Sequence, residues 1–356
     1  MPNQVELSPL GLGCWQFGSA GSEDYWGVEF TDAMAVELVA QCVSAGMTYF
    51  DTAEDYAKGG SESQLGGALA ALPPEVRAKV RIGSKILPNN CGNVRAHLEA
   101  TLKRLGVQSI ELYMVHWPIS ASSMSHFAGA HNAAGARDYA ATGAVDESRI
   151  PSTQRTFEEL KQLQDEGKIK HIGVSNFGVA QLTEALATGV TIASNELCYN
   201  LLTRAIETGI LPFCRDKNIK VIAYSALLQG LLTSATDPFD ADKVPTYRAR
   251  SRHFACSRPK SRHGEAGHEE LLASTLGALH GLAKGWGMSL SDIAVAWLLA
   301  KPDIACVIVG VTKPSQLDRN RAPLPPRLRL RCAACAAQRV LNALHCNTLC
   351  SAAHSA

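Results

Sequence analysis

Residues 47–116 contain three short apolar runs in regular succession: MTYFDT (47–52), VRIGSKI (80–86) and IELYMVH (110–116). Each run has the length and the β-branched and aromatic content of a buried strand. The segments between them, residues 61–71 and 93–105, place apolar side chains at helical spacing. Strands that alternate with helices in this way predict a parallel sheet covered by crossover helices.

The same alternation continues on both sides of this stretch. Further strands are predicted at residues 10–15, 170–175, 191–197, 220–224 and 305–310, and further helices at 31–45, 153–166, 180–188, 205–216 and 289–300. Eight strands with crossover helices predict an α/β fold, the (β/α)8 or TIM barrel. Such a barrel, enlarged by insertions, accommodates most of the 356 residues in one domain, which we place at residues 1–320.

Two long insertions and an unusual tail interrupt the barrel pattern. Residues 118–151 are rich in Ala, Gly and Ser, and residues 228–268 include the basic stretch RARSRHFACSRPKSRH (248–263). Both follow predicted strands, on the side where barrel active sites are built, and loops of this length are usually lids or disordered segments. The tail, residues 321–356, is Pro-broken and rich in Ala, Cys and Arg.

Charge separates this tail from the rest of the chain. Of the 34 Lys and Arg residues, five Arg follow residue 320, whereas all 33 Asp and Glu residues precede it. The net charge of +1 therefore divides into −4 before residue 320 and +5 after it. We favour an altered end of the sequence, such as a foreign reading frame or a retained intron. A divergent tail and a small basic or metal-binding arm are the alternatives.

Composition and cysteine content limit the function classes. A net charge of +1 argues against a nucleic-acid partner, and no run of 18 apolar residues predicts a membrane span. Residues 1–13 have neither a basic nor a long apolar segment, so we expect no secretion, and dispersed cysteines before residue 320 predict reduced thiols in the cytoplasm. Four tail cysteines resemble half of a zinc pattern, but without a structural frame we predict no metal site: Cys332, Cys335, Cys346 and Cys350.

Polar residues stand at the ends of three successive predicted strands. Asp51, Lys85 and His116 hold these positions, and Tyr56 lies on the loop after the first strand. Because the strands of a barrel end at one mouth, we expect the four side chains to converge. Taken singly, the Asp could cap a turn, the Lys could be ion-paired and the His could be a core residue. Their common spacing favours one site.

This set of side chains suits proton transfer to a carbonyl group. A Lys ammonium lowers the pKa of a nearby phenol, and a buried Asp keeps the Lys charged. A neutral His can donate to a carbonyl oxygen and fix its orientation. Interconversion of C=O and CH–OH also needs a hydride, which implies a nicotinamide cofactor.

Six motifs occur in the order and at the spacing of the aldo-keto reductase family, which the chain resembles from about residue 10 to residue 320. They are DTAEDY (51–56), GSK (83–85), YMVHWP (113–118), IGVSNF (172–177), IAYSALLQGLL (222–232) and VIVGVTKPSQLDRN (307–320). The resemblance implies that Tyr56 is the general acid, that Lys85 and Asp51 tune it, and that His116 orients an aldehyde or ketone. Trp15 and Trp117 are then candidate walls of the substrate pocket.

The resemblance also implies NADP(H) as cofactor. For the nicotinamide, the family pattern implies carboxamide contacts at Ser175, Asn176 and Glu196 and a stacking ring at Tyr224. For the pyrophosphate it implies backbone contacts at Leu227 and Gly230. For the adenosine it implies a 2′-phosphate loop at Gly310, Thr312 and Lys313 and adenine contacts at Gln316 and Asn320. A Lys beside a phosphate favours NADPH over NADH. The basic stretch at 248–263 either closes over the pyrophosphate or is a solvated charge run.

Glu196 departs from the family, which usually has Gln at this position. A buried carboxylate beside the nicotinamide would favour the positively charged, oxidised ring. We therefore expect Glu196 either to shift the redox preference of the cofactor or to be protonated.

The main prediction is an NADP-dependent enzyme that reduces carbonyl groups. One alternative is a regulatory binding protein on the same fold, similar to the β subunits of potassium channels. Another is a cofactor-binding protein without catalysis. Turnover of generic aldehydes distinguishes the enzyme from both alternatives. The oligomeric state stays open.

Overall fold

The structure, a computed structural model, describes residues 5–18, 30–128, 147–233, 252–258, 261 and 264–311. The chain divides into two compact units. The first holds the described residues of Met1–Tyr199, Arg204–Tyr224 and Asp303–Arg319, and the second those of Asn200–Thr203, Ser225–Pro302 and Asn320–Ala356. The tail at 321–356 and the domain boundary predicted at residue 320 lie outside the described residues.

A closed barrel of eight parallel strands occupies the described part of the first unit. The strands are β1 (Leu10–Gly13), β2 (Tyr49–Asp51), β3 (Arg81–Ile86), β4 (Ile110–Val115), β5 (Ile169–Ser175), β6 (Ser194–Cys198), β7 (Lys220–Tyr224) and β8 (Ile304–Gly310). Each strand pairs with the next in sequence, and β8 closes the barrel against β1, with Leu10 opposite Val307. The predicted (β/α)8 barrel is confirmed.

Helices occur in both units. In the first unit they are α1 (Asp32–Ser44), α2 (Gly60–Ala71), α3 (Pro74–Arg77), α4 (Val94–Leu105), α5 (Ala121–Phe127), α6 (Thr153–Asp165), α7 (Val179–Ala187) and α8 (Ile210–Asp216). In the second unit they are α9 (Glu269–Trp286) and α10 (Leu290–Leu299). Side-chain caps begin several of them; the Ser152 hydroxyl, for example, accepts from the Arg155 amide at the start of α6.

Four helices differ from the sequence-based expectation, since α8 is shorter than predicted and α3, α5 and α9 were not predicted. The helix predicted at 205–216 is divided into a 3-10 turn (Ala205–Thr208) and α8, because Gly209 lies between them with a non-helical backbone (φ −139°, ψ −53°). Helix α9 was not predicted. Its buried side chains Leu272, Leu276 and Leu279 lie at helical spacing, so the signal was present beside the basic insertion.

Tyr49 of β2 fills the centre of the barrel with an aromatic ring. It packs in a buried cluster with Leu112, Met114, Ile222, Cys306 and Ile308. Glycines on both neighbouring strands make room for the ring, because a Cβ on Gly83 would lie 2.1 Å from the Tyr49 hydroxyl and one on Gly11 2.8 Å from Cδ1. The barrel interior is therefore a packed core, and chemistry is confined to its ends.

No helix in the described part of the chain is long and apolar enough to cross a membrane.

Helix α2 packs closely on the end of α4, against β3. The buried Glu62 carboxylate accepts from Arg104 Nε at 2.6 Å and from the Ser84 hydroxyl at 2.5 Å. At Gly66 a Cβ would lie 2.4 Å from the backbone oxygen of Arg104, whereas a Cβ on the adjacent Gly67 would meet nothing within 4 Å. Two neighbouring glycines thus differ completely in their surroundings.

We expect Gly66→Ala to lower the free energy of unfolding by about 1–3 kcal/mol, because the new methyl group overpacks the helix contact. Gly67→Ala is the matched control, and it should raise the same free energy by about 0.5–1 kcal/mol through helix propensity. Urea unfolding followed by circular dichroism measures both. Equal effects of the two substitutions would contradict the close approach of α2 and α4.

Candidate active site

The barrel brings three of the predicted residues to one mouth. Asp51 is the last residue of β2, Lys85 lies near the end of β3, and His116 directly follows β4. The parallel register places Asp51 opposite Gly83 and Lys85 opposite Met114, so the three carboxyl-terminal ends lie side by side. Tyr56 begins the 3-10 turn that leaves β2. The predicted convergence of these side chains is therefore present.

The Lys85 ammonium is the centre of the site. Its side chain is fully buried, and Nζ lies 2.6 Å from both carboxylate oxygens of Asp51 and 2.9 Å from the Thr52 carbonyl oxygen. Nζ also lies 3.3 Å from the Tyr56 hydroxyl oxygen. Burial alone would lower the pKa of Lys85, but the surrounding negative groups, Asp51 first, hold it well above its usual value. The ammonium is therefore charged at neutral pH.

Tyr56 is a protonated phenol with partial access to solvent. Burial raises its pKa well above 10, and the Lys85 ammonium lowers it by a smaller amount. The expectation that Lys85 lowers the phenol pKa holds for the effect of that charge. It is wrong for the net direction, because loss of hydration outweighs the nearby cation. A phenol that keeps its proton at neutral pH is suited to act as an acid.

The Tyr56 loop is fixed by the buried carboxylate of Glu54. One oxygen accepts from the Leu87 amide at 2.8 Å and from Asn90 Nδ2 at 2.7 Å, and the other lies 2.7 Å from His97 Nδ1. These contacts join the loop to the segment after β3 and to α4. Sequence reasoning assigned no role to Glu54, although it belongs to the quoted motif DTAEDY.

His116 has two neighbours that sequence reasoning missed. Its Nδ1 lies 3.3 Å from Asp55 Oδ1, and its ring stacks on Phe127 at 6.0 Å between centroids. The His116 ring meets the Tyr56 ring edge-on at 5.7 Å. Burial would raise the pKa of Asp55, but His116 holds it below the usual value. Asp55 adjoins Tyr56 in sequence, so a signal existed, whereas Phe127 lies in the insertion after β4.

Residues on β5 and β7 form a second polar group in the first unit. Asn176 Nδ2 donates to the His116 carbonyl oxygen at 3.1 Å and to the Ser175 hydroxyl at 3.0 Å, and the Tyr224 hydroxyl donates to Asn176 Oδ1 at 2.8 Å. Asn176 has a left-handed backbone (φ 62°), which Asn adopts more readily than most residues. One lone pair of Oδ1 is left for a ligand.

Glu196 places a second carboxyl group beside Lys85. Its Oε1 lies 3.4 Å from Lys85 Nζ, while Oε2 is buried and has no hydrogen-bond donor among the described residues. Burial, then the neighbouring Asp51, raises the pKa of Glu196 well above its usual value, and Lys85 opposes the shift. Of the two states expected from the sequence, the surroundings favour the protonated one.

The remaining predicted residues are placed as follows. Trp15 is 41% exposed, with its ring 6.2 Å from that of Tyr56, and Trp117 contacts Phe127 at 6.1 Å. Gly310 ends β8. Leu227 and Gly230 belong to the second unit, where the backbone turns tightly at residues 225–232. Four predicted cofactor residues lie outside the described residues: Thr312, Lys313, Gln316 and Asn320.

The family model of the aldo/keto reductase family matches residues 9–324. The chain belongs to this family of oxidoreductases, which confirms the resemblance read from the sequence. Within the described residues no group of three or more His, Cys, Asp or Glu side chains could hold a metal ion.

Curated relatives match most of the chain. The NADH-specific methylglyoxal reductase of Escherichia coli (strain K12) is 28% identical over 339 residues, which cover 90% of this chain and 90% of that protein. The aldo-keto reductase YhdN of Bacillus subtilis (strain 168) is 28% identical over 327 residues, which cover 88% of this chain and 84% of that protein. The names of both relatives thus indicate reductases of carbonyl compounds.

Solved structures share the fold. A glycerol dehydrogenase from Gluconobacter oxydans has a TM-score of 0.68 at 24% identity, and the match covers 94% of this chain and 91% of that one. An aldo/keto reductase from Klebsiella pneumoniae in complex with NADP and acetate has a TM-score of 0.60 at 23% identity, and covers 92% of this chain and 91% of that one.

We expect Glu196→Gln to remove a pH dependence of stability. An unfolded Glu ionises near pH 4.3, whereas folded Glu196 keeps its proton, so the parent loses stability as pH rises from about 4 toward the folded pKa. Gln mimics the protonated carboxyl group, because its amide is similar in size and uncharged at every pH. The variant should therefore gain relative stability by up to about tenfold in the unfolding constant per pH unit.

Urea unfolding of parent and variant between pH 5 and pH 8 measures this difference. The exposed Glu99→Gln is the control. Lys168 lowers the pKa of Glu99, so this carboxyl group is ionised in both the folded and the unfolded protein above about pH 5, and its difference from the parent should stay constant. A constant difference between parent and Glu196→Gln across this range would show that Glu196 is ionised in the folded protein.

Proposed function

We propose that this chain reduces the carbonyl group of a small aldehyde or ketone with NADPH, and that Tyr56 is the general acid. The observation that carries the proposal is the contact of a buried, charged Lys85 with both the Asp51 carboxylate and the Tyr56 hydroxyl. The family membership supports oxidoreductase chemistry for this chain.

Tyr56 gives its proton to the carbonyl oxygen as negative charge develops there. The phenolate that remains lies beside the Lys85 ammonium, which stabilises it without a change of position. Asp51 keeps the ammonium charged and oriented, since both of its oxygens contact Nζ at 2.6 Å. The partly exposed phenol then regains a proton from water.

His116 and the aromatic rings hold the substrate. The imidazole lies against Tyr56, so a carbonyl oxygen placed between the two side chains receives a hydrogen bond from each. Trp15 and Trp117 supply apolar walls for the carbon skeleton. These walls lack charged groups and suit an uncharged aldehyde or ketone.

The residues on β5, β6 and β7 fit a nicotinamide. Asn176 keeps a lone pair for a carboxamide N–H, and Glu196 has a buried oxygen without a partner among the described residues. Ser175 lies beside both, and Tyr224 presents an aromatic ring. When bound, the reduced nicotinamide supplies the hydride to the carbonyl carbon. A protonated Glu196 leaves this place uncharged, which removes a bias toward the oxidised ring.

NADPH is proposed over NADH because Lys313, Thr312 and Gly310 form the candidate loop for the 2′-phosphate. The rest of the cofactor has its own candidate residues, namely Leu227 and Gly230 for the pyrophosphate and Gln316 and Asn320 for the adenine side. Two relatives point in different directions. The Escherichia coli protein is named NADH-specific, and the Klebsiella pneumoniae structure contains NADP. The lysine decides in favour of the phosphate.

We expect Tyr56→Phe to lower kcat for aldehyde reduction by about 10²–10⁴-fold with little change in NADPH affinity, since only the proton donor is lost. A panel of aldehydes and ketones, followed by NADPH absorbance, measures kcat, and cofactor fluorescence measures binding. Tyr113→Phe is the matched control, because it removes a buried hydroxyl of β4 that has no hydrogen-bond partner among the described residues.

Tight NADPH binding without turnover by the parent would overturn the enzyme assignment and favour a binding protein. Undiminished catalysis by Tyr56→Phe would overturn the role of the phenol but not the assignment of the protein as an enzyme.

We expect Lys313→Met to raise KM for NADPH by about 10–100-fold and to leave KM for NADH unchanged, because one charge-assisted contact to the 2′-phosphate is lost. Steady-state kinetics with both cofactors measures the ratio, with Lys161→Met as an exposed control. A parent that prefers NADH would refute the cofactor choice and leave the carbonyl chemistry standing.

A further inference from the structure

Asp55 and His116 form a carboxylate–imidazole contact beside the proposed proton donor. Oδ1 of Asp55 lies 3.3 Å from Nδ1 of His116, and within the described residues neither atom has a hydrogen-bond partner. The contact is enclosed, since the His116 side chain is 9% exposed and that of Asp55 19%. A buried nitrogen and a buried oxygen that face only each other need a shared proton.

The chemistry of the two groups fixes where that proton lies. An ionised carboxylate only accepts hydrogen bonds, so the facing Nδ1 must carry the hydrogen. A neutral imidazole has one N–H. If this N–H is on Nδ1 and donates to Asp55, then Nε2 carries only a lone pair. Such a ring cannot donate to a substrate carbonyl oxygen through Nε2. Only the imidazolium has hydrogens on both nitrogens.

We propose that Asp55 is a positioning residue that holds a proton on Nδ1 of His116, so that Nε2 donates to the substrate oxygen only when the ring is an imidazolium. The inference rests on the proposed function, because it concerns the same carbonyl oxygen. It replaces the neutral histidine donor that the sequence suggests with a cationic one. His116 then contributes a full positive charge where negative charge develops in the transition state.

The other charged and titratable groups around His116 permit a cation there. Lys85 would oppose a second positive charge, but its ammonium is paired with both oxygens of Asp51. Tyr56 meets the ring edge-on and is a neutral phenol. On α5, His126 contacts Phe127 and Trp117, and the β5 side offers the uncharged amide of Asn176 to the His116 carbonyl oxygen. Asp55 is thus the nearest uncompensated charge.

Packing holds the ring in this orientation. Phe127 stacks on one face of the imidazole with an interplanar angle of 28°, and Asp55 Oδ1 lies next to Nδ1. The Asp55 carboxylate makes no capping hydrogen bond to the 3-10 turn that follows it. Removal of its charge should therefore leave the Tyr56 loop intact and change the imidazole alone.

The first experiment compares pH profiles of kcat/KM for aldehyde reduction in the parent and in Asp55→Asn. Loss of the carboxylate destabilises the imidazolium, so the fall of kcat/KM with rising pH should begin about one pH unit lower in the variant. Above that limb the variant is about tenfold slower, and below it the two proteins agree. Asp216→Asn, which removes an exposed charge from the end of α8, should retain the parent profile.

A double variant distinguishes coupling from general damage. In a His116→Gln background, Asp55→Asn should no longer shift the profile, because the group it acts on is absent. A shift that persists without His116 would overturn the proposal, as would identical profiles of the parent and Asp55→Asn.

The second experiment measures which nitrogen of the His116 ring carries a proton, and it does not depend on turnover. Nitrogen-15 NMR of histidine-labelled parent, with His116 assigned by the signal lost in His116→Gln, should show Nδ1 protonated both below and above the ring titration. A neutral ring with its hydrogen on Nε2 would overturn the proposal even if the enzyme is active. Conversely, a protein that fails to reduce carbonyls but shows the Nδ1 proton would refute the proposed function and leave the Asp55–His116 assignment in place.

Discussion

The ion pair between Lys85 and Asp51 is the constraint around which the site is arranged. Both side chains are buried, and charges removed from water cost several kcal/mol each unless close contacts compensate them. Here two carboxylate oxygens and the Thr52 carbonyl oxygen surround one ammonium. The ammonium also contacts a third group, the Tyr56 hydroxyl at 3.3 Å, and the proposed function depends on that contact. An apolar replacement would pack, but it would leave the phenol without a cation.

Barrel closure makes that ion pair possible. Asp51 and Lys85 lie on adjacent parallel strands and meet because all eight described strands end at the same mouth. The loop that carries Tyr56 is then fixed from outside the barrel by Glu54, which accepts from the segment after β3 and contacts α4. The strands and this fixed loop together hold the Tyr56 hydroxyl in place, as the proposed role of this phenol as an acid requires.

Charge balance links the two sides of the site. An ionised Glu196 would add a second anion to a buried region that contains one ammonium, whereas a protonated Glu196 leaves Lys85 and Asp51 as a neutral pair. At Asp55 the nearby positive groups, His116 first and then Lys85, hold the pKa of the carboxyl group below its usual value. Glu196 and Asp55 thus reach charge balance in different ways, one by keeping its proton and the other through nearby positive groups.

The sequence alone determined the strands, the barrel and the identity of Asp51, Tyr56, Lys85 and His116, because apolar period, strand-end polar residues and motif spacing are local properties. The break at Gly209 was missed inside a segment with helical periodicity, and α9 was missed beside the basic insertion. Only the tertiary structure decided that Tyr56 keeps its proton, that Glu196 is placed beside Lys85, and that Asp55 and Phe127 enclose His116. These properties depend on burial and on distances between side chains that are far apart in the chain, and neither quantity can be derived from the sequence alone.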